Sequence, residues 1–203
     1  MDVCRLVPIR VRPASGGLTL IELLTAIAII GVLVALMLPV INSAREAARR
    51  TTCANNLYQI GITLHTYHNV HASFPPSGIE WRPPGNTTNR QLAWSVFLLP
   101  YLEQQSVFEL LGLSEACGSP INAEGAETEL SVYRCPSSLH NDPGVDGCGR
   151  CDYGGIYGER INSPNNPPKG TMLYEKPVSI REFLDGTFQT IVVSEDTRWP
   201  NGQ

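Results

Sequence analysis

Hydrophobic and polar positions divide the chain into three textures. From Leu18 to Ile41 it reads LTLIELLTAIAIIGVLVALMLPVI, apolar on every side of a helix and broken by one charge, Glu22. At about 1.5 Å per residue a helix of this length reaches ~36 Å, enough to span a hydrocarbon core of about 30 Å. Further on, Ala44, Ala47 and Ala48, then Leu57, Ile60, Leu64 and Tyr67, recur at three- and four-residue steps. That is the pattern of a helix burying one face. Pro39 removes one helix hydrogen bond, which kinks a helix rather than ending it. The pattern predicts one helix from about Leu18 to about Asn69, stopped by FPPSG at 74–78.

The third texture is short and broken. LAWSVFLL, from Leu92, reads as an apolar strand running into Pro100. A helix follows with Pro at its first position and Gly112 past its end, burying Leu102, Val107, Leu110 and Leu111. ELSVYRCPSS at 129–138 predicts a strand entering a turn, and CDYGGIYG at 151–158 predicts tight β structure. The latter lacks the strand-loop-helix setting of a phosphate loop. An Asp185-Gly186 turn leads into a β-rich run from Thr190 to Ser194.

The first seventeen residues carry Arg5, Arg10 and Arg12 and end in small residues before the apolar run. A secretory signal has its cleavage site after a shorter apolar stretch. Here a cut at Gly17 releases the leader and keeps the span. Glu22 then needs a reason, since an acid at the centre of a membrane helix costs about 2.5–3.5 kcal/mol on insertion scales. A cut after Gly17 creates an α-amine at Leu18, and residues four apart share a helix face. The carboxylate can pair with that amine, or with the amine of a neighbouring subunit in a packed bundle.

Gly17, then Leu18-Thr-Leu-Ile-Glu22 and an apolar helix, resembles the prepilin signature of type IV pilins and type II secretion pseudopilins. Leu18 stands where the family usually has Phe. Gly31 and Pro39 fall where related pilins carry helix-loosening residues. The resemblance implies cleavage by a prepilin peptidase between Gly17 and Leu18 and N-methylation of Leu18. It also implies contact with other pilin-like subunits through the helix. LHTYHNVHASFPPSG, WSVFLLPYLEQQSVFE, YRCPSS, YGGIYG and IREFLDGTFQTIVVSE resemble, in order, a large prepilin-like family abundant in planctomycetes, with an uncharacterised domain after the helix. That family continues with a His-containing stretch and a late Asp-Gly strand. The comparison predicts a chain short of its usual end, with an unpaired sheet edge.

These readings give an α+β, pilin-like expectation: a long N-terminal transmembrane helix packed on a small antiparallel β-sheet with loop-rich insertions. The expected parts are a leader (1–17), a membrane half of the helix (18–41), an outer half (42–72) and a globular domain (73–203). Charge adds little. Net charge is -4, and no basic stripe follows residue 50, so nucleic acid is not an expected partner. Arg45, Arg49 and Arg50 match the leader arginines in number, so positive charge alone sets no orientation. The expectation is a single-pass protein of the inner (cytoplasmic) membrane with its C-terminal domain periplasmic. It rests on the resemblance and on six cysteines, which suit an oxidising compartment.

Loss of the leader removes Cys4 and leaves an odd number of cysteines, with Cys53 on the helix face the choice for the odd one. Cys117, Cys135, Cys148 and Cys151 are disulfide or metal candidates. Cys148-Gly-Arg-Cys151 is a CxxC in a loop, open to a disulfide, to zinc with Cys135 or His140, or to redox chemistry. His65 and His68, with His71 beyond, are weak metal candidates, since two imidazoles three apart share a helix face but no acid lies near. No cofactor is expected.

Two functions compete. One is a structural pseudopilin-like subunit of a type II secretion or type IV pilus-like system. The alternative is a membrane-anchored extracytoplasmic binding module for a glycan, metal or protein partner, for which exposed Trp81, Trp94 or Trp199 would suit sugar stacking. No Ser-His-Asp order, HExxH or carboxylate pair points to an enzyme.

Overall fold

The computed structural model describes residues 19–80, 90, 92–138, 148–156, 170–184, 186, 187 and 189–195. Gly17, Leu18, Trp81, His140, Asp185 and Trp199 lie outside them. The chain forms two compact units, 1–45 and 46–203.

One helix, α1 (Leu20–His71), contributes to both units and carries Pro39 inside it. In the first unit its side chains are exposed all round, Leu20, Ile27, Leu36 and Val40 among them. An 18-residue window reaches a mean hydropathy of 2.8 with none of it buried. A helix apolar on every side finds its complement in lipid or in other helices.

In the second unit α1 has one buried face: Cys53, Asn56, Ile60, Thr63 and Leu64. The helix ends at Ala72, whose φ of 58° is left-handed and whose N–H donates to the His68 carbonyl at 2.8 Å. This is a left-handed cap without glycine, and Pro75 and Pro76 bar further helix. The helix therefore runs two residues past the predicted end, to include His71.

Two antiparallel pairs follow. β1 (Gly78–Ile79) pairs with β2 (Leu92–Ala93), Gly78 opposite Ala93. β3 (Tyr153–Gly155) pairs with β4 (Val193–Glu195), Tyr153 opposite Glu195. The β3 and β4 regions match the sequence reading.

One predicted strand is cut short after two residues, and another is not a strand. After Ala93 the apolar run is helical, as α2 (Trp94–Leu98) and then a 3-10 turn, Leu99–Leu102. A short apolar run without alternation fits a buried helical turn as well as a strand. Pro100 sits in the first turn of that 3-10 segment, where its missing N–H costs nothing. Glu103, with φ 60°, reverses the chain before α3 (Gln105–Glu109). The second strand, at 129–138, is instead a 3-10 turn, Ser131–Tyr133, flanked by extended Leu130 and Arg134. A further turn, α4 (Ala123–Ala126), precedes it. Tyr133 turns inward there and donates its hydroxyl to the Ser95 carbonyl at 2.8 Å.

The core joins Ile60 and Leu64 of α1 to Phe74, Trp94, Leu98, Leu99, Tyr133, Tyr153 and Met172. Trp94 meets Tyr133 edge to face at 5.9 Å, and Phe74 stacks on Phe183 at 5.7 Å. Polar groups hold the loops. Asn122, fully buried, accepts from Gly112 N–H at 2.7 Å and donates to the Ala116 carbonyl at 2.9 Å. Arg150 pairs with Asp152 at 2.6 Å, both almost wholly buried. The other Asp152 oxygen accepts the Cys135 N–H at 2.8 Å.

Asp152 thus satisfies both a buried cation and a buried backbone donor. Asp152→Ala leaves the Cys135 N–H without its acceptor and Arg150 without its carboxylate, with only the Ser138 hydroxyl still bonded to the guanidinium, and is expected to cost about 3–5 kcal/mol, read by denaturant unfolding of the detergent-solubilised chain. A loss below about 1 kcal/mol would show that water replaces the carboxylate.

Candidate functional site

Two places carry chemistry: the start of α1 and the junction between α1 and the loops of the second unit. At the start, Thr19 precedes the first helical residue, Leu20. The Glu22 N–H donates to Thr19 Oγ1 at 3.3 Å. In return Glu22 Oε2 accepts the Thr19 N–H and the Thr19 hydroxyl, each at 2.8 Å. This is a reciprocal capping box, which satisfies two of the donors that a helix start leaves open. A carboxylate in the first turn also opposes the positive end of the helix dipole. Glu22 is therefore accommodated by its own helix. Oε1 accepts no hydrogen bond from the described residues. Gly31 has open space around its α-carbon, which lets another backbone approach.

In the second unit the junction is covalent. Cys53 is bonded to Cys135, 82 residues away, and Cys117 to Cys148. The expectation that Cys53 is the odd cysteine is corrected: its position on the buried face of α1 brings it against the Cys135 loop. Cys151 belongs to neither bridge, and its sulfur lies 3.2 Å from the Tyr153 carbonyl. Of the four disulfide or metal candidates, Cys135, Cys117 and Cys148 are in bridges, and the CxxC cysteines are not bonded to each other. Asn56, one turn along from Cys53, donates to the Ser131 and Arg134 carbonyls at 3.1 and 2.8 Å. The sequence reading missed Asn56, although a polar residue inside the stripe of Leu57, Ile60 and Leu64 is itself a signal.

The histidines at the end of α1 are engaged in packing. His68 Nε2 accepts the Ile180 N–H at 3.3 Å, and its ring lies 5.1 Å from that of Phe74. His71 stacks on Tyr67 at 4.1 Å and meets the Tyr101 hydroxyl at 2.9 Å through Nε2. His65 packs edge-on to Phe74 at 6.3 Å. Trp94 is buried, which removes it from sugar stacking. A half-open cavity of about 360 Å³ lies beside α1, lined by Leu57, Gly61, His65, Phe183, Thr190 and Ile191 among others.

Some surface charges are locally paired. Hydrogen bonds from the Arg90 side chain and backbone hold the Glu80 carboxyl below its ordinary value, and Arg49 does the same for Glu46. Both carboxyls are held below their ordinary value, so their small contribution is present above that value and lost as pH falls through the lowered folded values. Burial pushes the Tyr133 hydroxyl far up, which keeps it a donor to Ser95 at any physiological pH.

Residues 12–38 match the prokaryotic N-terminal methylation motif. Residues 42–203 match the family described as protein of unknown function (DUF1559), and the chain belongs to that family. No curated protein and no solved structure matches the chain. The protein is thus prepilin-like, with an uncharacterised C-terminal domain whose match begins within α1, and neither match is to an enzyme family. The apolar helix and the motif fit single-pass membrane anchoring.

Replacing Cys53 and Cys135 together by Ser opens a loop of 82 residues. The chain-entropy model gives a loss of about 4–5 kcal/mol, or a fall of roughly 10–15 °C in Tm. Thermal unfolding of the variant beside the oxidised parent measures it, and an unchanged Tm would mean that the non-covalent contacts hold α1 unaided.

Proposed function

We propose that the chain is a structural, pseudopilin-like subunit of a type II secretion or type IV pilus-like system. A prepilin peptidase cuts between Gly17 and Leu18, Leu18 is N-methylated, and residues 18–41 anchor the chain in the cytoplasmic membrane. The domain stands on the extracytoplasmic side. Its two disulfides support that side, since such bonds persist in oxidising compartments.

The observation that carries the reading is the capping box at the head of the apolar span. Thr19 occupies one Glu22 oxygen and fixes the carboxylate in place, leaving Oε1 for an amine. The amine is that of Leu18 on a neighbouring subunit, and the pairing neutralises two charges inside an apolar bundle. Pro39 and Gly31 give the packed helices room to bend and approach.

A second reading, an anchored binding module, draws on the half-open apolar cavity beside α1. Its size suits a small apolar group.

Peptide mass spectrometry of the membrane-bound protein is expected to find an N-terminus at methylated Leu18; a start at Met1 would end the processing claim. Gly17→Ala is expected to slow leader removal strongly, because a protease must approach the backbone closely there.

Charge and capping at Glu22 separate cleanly. Glu22→Gln keeps the capping box and loses the charge, whereas Glu22→Ala loses both and weakens the helix start by about 1 kcal/mol. Both variants are expected to insert but to cross-link poorly into multimers in membranes. Normal multimers from Glu22→Gln would assign the residue to capping alone.

A further inference from the structure

Side chains from three separate elements converge beside α1. Cys53 lies on its buried face, Cys135 follows the Ser131–Tyr133 turn, and Glu195 ends β4. The two sulfurs and one Glu195 carboxylate oxygen lie within 4.8 Å of one another. Both cysteines are buried and Glu195 is exposed, so the cluster has one side open to solvent. In the oxidised chain the sulfurs are bonded to each other and offer no ligand.

Their positions do not depend on that bond alone. Asn56 holds the Cys135 loop to α1 through the Ser131 and Arg134 carbonyls. Asp152 holds the Cys135 N–H. The Tyr153 hydroxyl donates to the Cys53 carbonyl at 3.3 Å, and Tyr153 is the register partner of Glu195. Each of the three groups keeps a non-covalent tether when the sulfurs part.

We infer that reduction turns the Cys53–Cys135 staple into a site for a borderline divalent cation of the Zn²⁺ class. Cys53, Cys135 and Glu195 are its protein ligands, and a water completes the tetrahedron. A dithiol supplies two electrons and two protons. The S–S bond breaks, two S–H bonds form, and the dithiol leaves as its own disulfide. Metal entry forms two metal–sulfur bonds and one metal–oxygen bond and sends both thiol protons to solvent. Two thiolates and one carboxylate favour Zn²⁺, Co²⁺ or Cd²⁺ over Ca²⁺ and Mg²⁺, which take all-oxygen shells. The metal then bridges α1 and the Cys135 loop where the disulfide is missing, so the helix stays docked under reducing conditions.

The test uses the full chain with Ser at Cys4, Cys117, Cys148 and Cys151. It is reduced with a dithiol, desalted without oxygen and titrated with Co²⁺. Thiolate-to-metal charge-transfer absorption should saturate at one equivalent and disappear on addition of Zn²⁺, and Zn²⁺ should raise the Tm of the reduced chain. Glu195→Gln should weaken binding by about tenfold or more. The oxidised chain should take no metal at this site. Binding unaltered by Glu195→Gln, or equal in the oxidised chain, overturns the inference. If the Ser variant does not fold, the chain with all its cysteines serves. There Cys53→Ser must remove one equivalent and Glu195→Gln must weaken that equivalent, and failure of either overturns the inference equally.

Discussion

The second unit depends on one constraint: a helix that is apolar on one face must be kept against loops with little regular structure of their own. Among the described residues the strands are two or three residues long and the helical turns beyond α1 no more than five. Such pieces cannot nucleate alone. Ile60 and Leu64 supply the surface on which Trp94, Leu98, Tyr133, Tyr153 and Met172 assemble. Cys53–Cys135 and Asn56 fix that surface at one point, and Asp152 ties two loops together there. Without α1 the rest would have no wall to pack on.

At the other end the same helix meets a different problem. A first turn leaves N–H groups without helical partners, and each costs free energy where water is excluded. Thr19 and Glu22 answer it locally. The acid that looked anomalous in the apolar run is therefore in part a structural requirement of starting a helix there. Only one of its oxygens is used by the cap, which leaves the other for the pairing proposed above.

Much of this was legible in the sequence. Length and apolarity read directly as a membrane-capable helix, because those signals are local and periodic, whereas the cap that Thr19 and Glu22 form was not read from the sequence. The outer stripe of Leu57, Ile60 and Leu64 was equally clear. What was not legible came from tertiary choice. The run at Trp94 has no alternation, so helix and strand fit it equally, and burial against Tyr133 decided for helix. The strand expected around Tyr133 gave way to a turn that points its ring inward. Cys53 was misjudged because pairing across 82 residues follows from the fold and not from spacing. The histidines' packing partners Phe74 and Tyr101 were invisible for the same reason, whereas the proline stop after the helix was plain.

That separation of 82 residues between Cys53 and Cys135 has a consequence for how the molecule comes into being. At ~5–20 residues per second, roughly 4 to 16 s of synthesis separates the two sulfurs. Within that interval Phe74, Trp94, Leu98 and Leu99 become available to Ile60 and Leu64, while Tyr133, Tyr153 and Met172 are made only at its end or after it. The wall is built first and stays partly bare until the last rooms arrive. A chain held at its membrane end during the wait cannot diffuse away, which keeps that bare face apart from its equals until its own loops come to close it.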